Sequence, residues 1–225
     1  MTQANSAQAT NSVLLLFAHP GQSGSEVCLP MYRIACDTPG VTCVDLYAEY
    51  PTFNIDIQAE QQRLLAHKVL IFLFPLFWYS TPSLLKEWQD LVLEYNFAYG
   101  SKGDKLHGKP FLCALSAGGS EASYSPAGYN HFGLRTLLSP LEQTAALTGM
   151  DYLPPFALFG ARSAAEEGRL APHLERWQRL LDALVAGTAP NPRTSLPNDR
   201  ASLVNDWELL FNDKAALMND WEGLA

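Results

Sequence analysis

Three short stretches carry side chains and backbone suited to chemistry on a bound ligand. The first is Ala18-His19-Pro20-Gly21-Gln22-Ser23-Gly24-Ser25, between an apolar run and a helical stretch. A helix starting there offers free N–H groups and a partial positive charge, which can hold a phosphate. His19 can donate a hydrogen bond to it, and Ser23 or Ser25 can add a hydroxyl. The same residues also suit a plain serine N-cap beside an exposed histidine, so this loop alone decides nothing. The second stretch is Pro75-Leu76-Phe77-Trp78-Tyr79-Ser80-Thr81-Pro82. Stiff aromatic surface between two prolines suits a flat ring system, and backbone groups there can meet a ring edge. Packing on a neighbouring helix accounts for Trp78 or Tyr79 singly, less readily for both. The third stretch is Ser116-Ala117-Gly118-Gly119-Ser120-Glu121-Ala122-Ser123-Tyr124-Ser125. Two glycines permit close backbone approach, and their N–H groups can face an oxygen that gains charge. A side chain placed at Gly119 is expected to fall on the ligand's ring edge. A simple turn would use the Gly-Gly pair equally well.

The surrounding pattern says what positions these loops. Apolar runs at Val13–Ala18, Val41–Leu46, Val69–Phe74, Phe111–Leu115 and Phe156–Phe159 read as strands, the first buried on both faces. Helical segments are expected near 28–37, 57–67, 83–95, 132–149 and 164–186. In the last, Leu170, Leu174, Trp177, Leu180, Leu181 and Leu184 share one face. Alternation with short connections predicts an α/β fold: a five-stranded parallel sheet with helices on both faces, in order 2-1-3-4-5. Such a sheet binds ligands beyond the carboxyl ends of its strands at the switch point, where the three loops fall. Residues 1–12 read as a flexible arm without a targeting pattern, 13–187 as the domain, and 188–202 as a Pro/Asn/Ser-rich linker. Residues 203–225 read as an amphipathic tail that repeats Asn-Asp-Trp-Glu at 205–208 and 219–222.

Composition narrows the function. Hydrophobic residues make up 48% and charged residues 17%, which argues for a globular fold over most of the 225 residues. A net charge of −8 leaves no basic stripe to neutralise phosphates, which excludes a nucleic-acid partner. Cys28, Cys36, Cys43 and Cys113 form no C-x-x-C pair and read as reduced thiols of a cytoplasmic protein. The longest apolar run, Val69–Leu76, is too short to span a bilayer. No metal site is expected.

The run Phe74-Pro75-Leu76-x-Trp78-Tyr79-Ser80-x-Pro82-x-Leu84-Leu85-Lys86-x-Trp88, then Phe97-Ala98-Tyr99-Gly100, then Gly118-Gly119 with Tyr124, resembles the NAD(P)H:quinone oxidoreductase family with its flavodoxin-like fold. His19-Pro20, Asp45-Leu46-Tyr47, Tyr50-Pro51-x-Phe53-x-Ile55-Asp56, Glu60-Gln61, Gly149-Met150 and Leu153-Pro154-Pro155-Phe156 are most similar to one branch. That branch comprises the ancillary subunits of glutathione-regulated potassium-efflux systems. The resemblance spans roughly 13–186. It implies non-covalent FMN or FAD, NAD(P)H as co-substrate, a quinone-like acceptor, and a homodimer with active sites at its interface. It places His19, Ser23 and Ser25 at the flavin phosphate and Leu76, Phe77, Trp78 and Tyr79 along the ring. It places Ser116, Ala117, Gly118 and Gly119 at the pyrimidine edge and Tyr124 at the hydride-transfer face, with Asn130 or His131 assisting. The chain departs from the family at Cys28, where an Asn is usual, and at Ser116-Ala117, where Thr-Thr is usual. It also has Asn130 in place of a His and carries Glu26 beside the phosphate site.

Two readings from different classes follow. In one the chain is an enzyme that transfers a hydride from NAD(P)H through flavin to a quinone. In the other it is a redox-sensing regulatory subunit of a cation (potassium) efflux transporter, held at the inner face of the membrane by that partner. The dimer interface is expected to include the aromatic region Trp88–Tyr99 and the helix after Gly128.

Overall fold

Successive residues of the apolar runs point to opposite faces of one sheet, and helices cover both faces. The computed structural model describes residues 12–189. The arm before Ser12, the linker beyond Ala189 and the 203–225 tail lie outside the described residues. The strands are β1 (Val13–Phe17), β2 (Val41–Asp45), β3 (Val69–Pro75), β4 (Pro110–Ser116), β5 (Asp151–Tyr152) and β6 (Phe156–Leu158). All pair in parallel in the order β2-β1-β3-β4-β5, with β6 also on β4. Val13 lies opposite both Val41 and Val69, and Leu70 opposite Phe111.

The fifth position of the sheet holds two short strands instead of the one strand expected at 156–159. Asp151–Tyr152 pair with Pro110–Phe111, and Phe156–Leu158 pair with Ala114–Ser116. Between them stand Pro154 and Pro155, which have no N–H to donate to the ladder.

The helices are α1 (Cys28–Asp37), α2 (Leu46–Glu49), α3 (Ile57–Ala66), α4 (Ser83–Val92), α5 (Leu134–Leu137), α6 (Ser139–Thr148) and α7 (Leu170–Ala186). The single helix expected at 132–149 is broken because Pro140 cannot donate, so α6 starts afresh with Pro140 in its first turn. Likewise α7 starts at Leu170 rather than 164, with Pro172 in its first turn. The short α2 was not anticipated. It forms because the Asp45 carboxylate accepts hydrogen bonds from the Tyr47 and Ala48 amides. At Gly149, which ends α6 at φ 70°, a Cβ would run into the His107 ring.

Alternate residues of each central strand divide the core. Leu14, Leu16, Leu70, Phe72 and Phe74 meet α4 and α6 on one face. Val13, Leu15, Phe17, Ile71 and Leu73 meet α1 and α7 on the other. Each such side chain contributes about 1.5–3 kcal/mol by leaving water. One buried carboxylate ties the first face together. Glu60 of α3 is fully buried and accepts from the Tyr50 hydroxyl at 2.7 Å and the Trp88 indole N–H at 2.8 Å, with Arg63 as its counter-charge. Among the described residues, no helix is long and apolar enough to cross a membrane.

Candidate functional site

The loops after β1, β3 and β4 converge at the carboxyl edge of the sheet. They border a cleft of about 520 Å³ that His19, Ser25, Leu76, Phe77, Ser116 and Gly118 line. Parallel strands of matched register end together, so loops far apart in sequence become neighbours there.

His19 is nearly buried, with its ring edge-on to Phe77 at 5.7 Å. Its Nδ1 accepts from the Gly21 amide at 3.2 Å, which assigns the proton of the neutral ring to Nε2 and makes that nitrogen the free donor. Burial lowers its pKa, so the ring favours the neutral form. Ser25 Oγ accepts from the Leu29 amide at 3.2 Å, so the hydroxyl that steadies the start of α1 also faces the cleft and keeps its own proton to donate. Ser23 is exposed on the turn at Gln22–Gly24 and does not line the cleft.

The aromatic loop is a tight turn. The Ser80 amide donates to the Phe77 carbonyl at 3.1 Å, while Trp78 and Tyr79 hold φ values of 48° and 64°. Positive φ at both central positions of such a turn is the usual province of Gly and Asn. Residues forced into it cost on the order of 1–3 kcal/mol each, and such strain clusters at ligand sites. The turn presents Leu76 and Phe77 to the cleft. It sends Trp78, 92% exposed, away from it, so Trp78 does not line the cleft as expected. Tyr79 reaches across instead, and its hydroxyl donates to Asn130 Oδ1 at 3.2 Å, joining the second loop to the third.

In the third loop the two glycines differ. A Cβ on Gly118 would meet nothing within 4 Å, whereas one on Gly119 would lie 3.2 Å from the Tyr124 ring and 3.4 Å from Asn130. Gly118 thus offers open space at the cleft, whereas a side chain at Gly119 would first meet Tyr124 and Asn130. Ala117 is buried, and its N–H and C=O pair with Leu158 and Ala161, so it has little left to offer a ligand. Ser116 accepts from the Cys28 thiol at 3.2 Å, and burial pushes that thiol up to about 11. The residue in the usual Asn place thus acts as a neutral partner to Ser116. Tyr124 packs on Phe159 at 5.3 Å, and burial raises its pKa against the opposing pull of the Gly119 amide. His131 is exposed, at φ 61°.

Ala161 and Arg162, after β6, line the same cleft, and sequence reasoning missed them. Their signal was positional: they follow the last strand at the same carboxyl edge. Arg162 adds a cation at a cleft that also holds the exposed Glu26. A second cleft of about 590 Å³ lies on the far side of the third loop, bordered by Ser120, Glu121, Gly160, Arg169 and Arg176. Arg169 is committed there, donating to the Phe159 and Gly160 carbonyls and to Glu167.

The cleft thus gathers a neutral donor, a hydroxyl and a cation beside flat apolar surface and open backbone. That suits a phosphorylated planar ring. A family profile described as flavodoxin-like fold matches residues 11–181. The chain belongs to that family. It is 43% identical over 181 residues to the glutathione-regulated potassium-efflux system ancillary protein KefG of Cronobacter sakazakii, covering 79% of this chain and 97% of that one. The crystal structure of general stress protein 14 from Treponema denticola in complex with FMN aligns with a TM-score of 0.72 and 36% identity, covering 77% of this chain and 99% of that one. An NADPH-quinone reductase structure from P. pentosaceus aligns with a TM-score of 0.67 and 28% identity, covering 75% and 96%.

Proposed function

We propose that the protein is an FMN-dependent NAD(P)H:quinone oxidoreductase that works as a homodimer. The observation that carries the reading is the single cleft at the switch point that His19, Ser25, Leu76, Phe77 and Gly118 line together. FMN is preferred because the Treponema denticola relative is an FMN complex. When bound, a flavin supplies two-electron hydride chemistry between NAD(P)H and a quinone-like acceptor.

The chain's own residues have separate tasks. His19 Nε2–H and the Ser25 hydroxyl donate to the phosphate, and Arg162 balances its charge. The amide of Gly118 faces the ring edge and stabilises negative charge there, while the Gly119 amide holds the Tyr124 hydroxyl. Tyr124 keeps its proton at neutral pH because burial raises its pKa, so its hydroxyl can donate to an acceptor oxygen that is gaining charge. Asn130 anchors Tyr79 and thereby the aromatic turn. His131 stands exposed beside it.

Exposed aromatic surface at the rim supports the dimer. Trp78 is 92% and Tyr129 86% exposed, with Tyr95, Tyr99 and Phe132 nearby in the chain. Trp88 takes no part, because it is buried against Phe72 and bonded to Glu60. Large exposed aromatics of this kind are enriched at protein interfaces.

The test is to load the purified chain with FMN, reduce it anaerobically with NADH or NADPH, and add a soluble quinone. The expected result is bleaching of the flavin absorbance and its stoichiometric return. A chain that takes up no FMN at micromolar concentration would refute the reading. Light scattering should give twice the chain mass, and a monomer with full turnover would remove the dimer. A second reading has the chain as the ancillary subunit of a cation-efflux transporter, peripheral to the inner face of the membrane. It is favoured by the similarity to KefG over 97% of that protein's length. Co-purification with such a transporter from membranes tests it, and the two readings are compatible.

A further inference from the structure

The four cysteines divide into two kinds. Cys28 and Cys113 are fully buried, and burial pushes their thiols up to about 11 and about 12. Cys36 and Cys43 lie together at the edge of the molecule. Cys36 is exposed in the last turn of α1, and Cys43 is partly buried on β2. Val41 and Cys43, alternate residues of β2, pack into the core on the α1 side of the sheet. Tyr32 and Cys36, four residues apart, share one face of α1. The Cys36 side chain acts directly on both the Cys43 thiol and the Tyr32 hydroxyl, helping burial to raise the pKa of each, and the three groups meet where α1 packs on β2.

The connection between the two cysteines is short and well tied. The Thr38 amide donates to Ala35 at 3.1 Å, Val41 to Thr38 at 3.2 Å, and Val13 to Gly40 at 2.9 Å. Tyr32 is itself held by stacking on Phe17 at 4.5 Å. Among the described residues β2 is the last strand of the sheet order, and no further strand of theirs shields the pair on that side.

We propose that Cys36 and Cys43 are a redox-modification site that closes to an intramolecular disulfide when the protein meets a peroxide. The site does not rest on the flavin reading, since it needs neither the cofactor nor the cleft. Burial raises the Cys43 thiol's pKa, so exposed Cys36 reacts first. Its sulfur attacks the peroxide, the O–O bond breaks, and one oxygen stays as a sulfenic acid while the other leaves as water. Cys43 sulfur then attacks Cys36 sulfur, the S–O bond breaks, and a second water carries off that oxygen. Two thiols lose two electrons and two protons, and hydrogen peroxide is reduced to two waters.

The test treats the full-length reduced protein with a few equivalents of hydrogen peroxide and reads intact mass and peptides. The expected mass change is a loss of about 2 Da per chain, reversed by dithiothreitol. Cleavage after Arg33 and before Asp37 separates the two cysteines into residues 34–36 and 37–44, which should appear joined only in the oxidised sample. Cys36→Ser and Cys43→Ser should each abolish the joined peptide, and Cys43→Ser should leave a sulfenic acid at Cys36 that dimedone captures. Oxygen addition at Cys36 without a joined peptide, a bond between two chains, a bond involving Cys28 or Cys113, or no change would each overturn the proposal.

Discussion

Valine at Gly118 and valine at Gly119 should fail in opposite ways, and the contrast tests the geometry of the cleft. A Cβ at Gly118 meets no atom within 4 Å, and the residue's φ is not in the left-handed region. Gly118→Val should therefore leave the protein without cofactor close to wild-type stability. It should put branched carbon into the space that the proposed ligand needs. Overpacking costs about 1–3 kcal/mol, and a rigid flat ring has no rotamer with which to yield, so the upper end applies. That corresponds to a loss of roughly 100-fold or more in FMN affinity. At Gly119 the Cβ alone lies 3.2 Å from Tyr124 and 3.4 Å from Asn130, and the remaining valine carbons must push further. Gly119→Val should then destabilise the protein itself by about 1–3 kcal/mol, which for a chain of this size lowers Tm by roughly 2–4 °C per kcal/mol. FMN titration by flavin fluorescence and thermal melts without FMN read the two effects separately. Wild-type FMN affinity in Gly118→Val would refute the cleft as the flavin site. An unshifted melt with lost affinity in Gly119→Val would mean that Gly119, not Gly118, faces the ligand.

Three further outcomes follow from side chains already described. Tyr124→Phe keeps the ring against Phe159 but removes the hydroxyl, so quinone turnover should fall about tenfold while Tm barely moves; equal loss of both would make Tyr124 a packing residue. Glu60→Ala leaves the Tyr50 and Trp88 donors without their acceptor in the core, while Arg63 keeps Glu49, so urea denaturation should show a loss of about 1–3 kcal/mol for each stranded donor, and a total loss below about 1 kcal/mol would contradict the network. His173 is buried against Phe156 and Trp177 with its Nε2 unpartnered, and burial lowers its pKa to about 3. The unfolded chain takes up that proton below about pH 6.5 and the native one only near 3, so stability is lost as pH falls through that window, at up to about 1.4 kcal/mol per unit. His173→Phe should flatten the stability profile between pH 6.5 and 5 by about 2 kcal/mol, and an unchanged slope would show that other groups govern it.

Much of this was legible in the residues themselves. Continuous apolar runs between amphipathic stretches can be buried only as a parallel sheet with two covers, so Val13–Phe17, Val69–Pro75 and Pro110–Ser116 followed from pattern. The order of strands and the three loops at its switch point followed in turn. The chain's prolines were equally visible, but their effects at 140, 154 and 172 depend on which neighbouring N–H the local fold needs, and those boundaries moved. Facing and pairing were decided by tertiary structure. Sequence marks Trp78 and Tyr79 alike as loop aromatics. Only the positive-φ turn sends one to solvent and the other to Asn130, fifty-one residues away. Sequence marks Gly118 and Gly119 alike as permissive, and only the path of the backbone turns one toward open space and the other toward Tyr124. Arg162 reached the cleft, and Cys36 reached Cys43, for the same reason. Periodicity is a property of neighbours along the chain and survives in the sequence, whereas a meeting of distant side chains depends on register and backbone direction, which only the assembled sheet supplies.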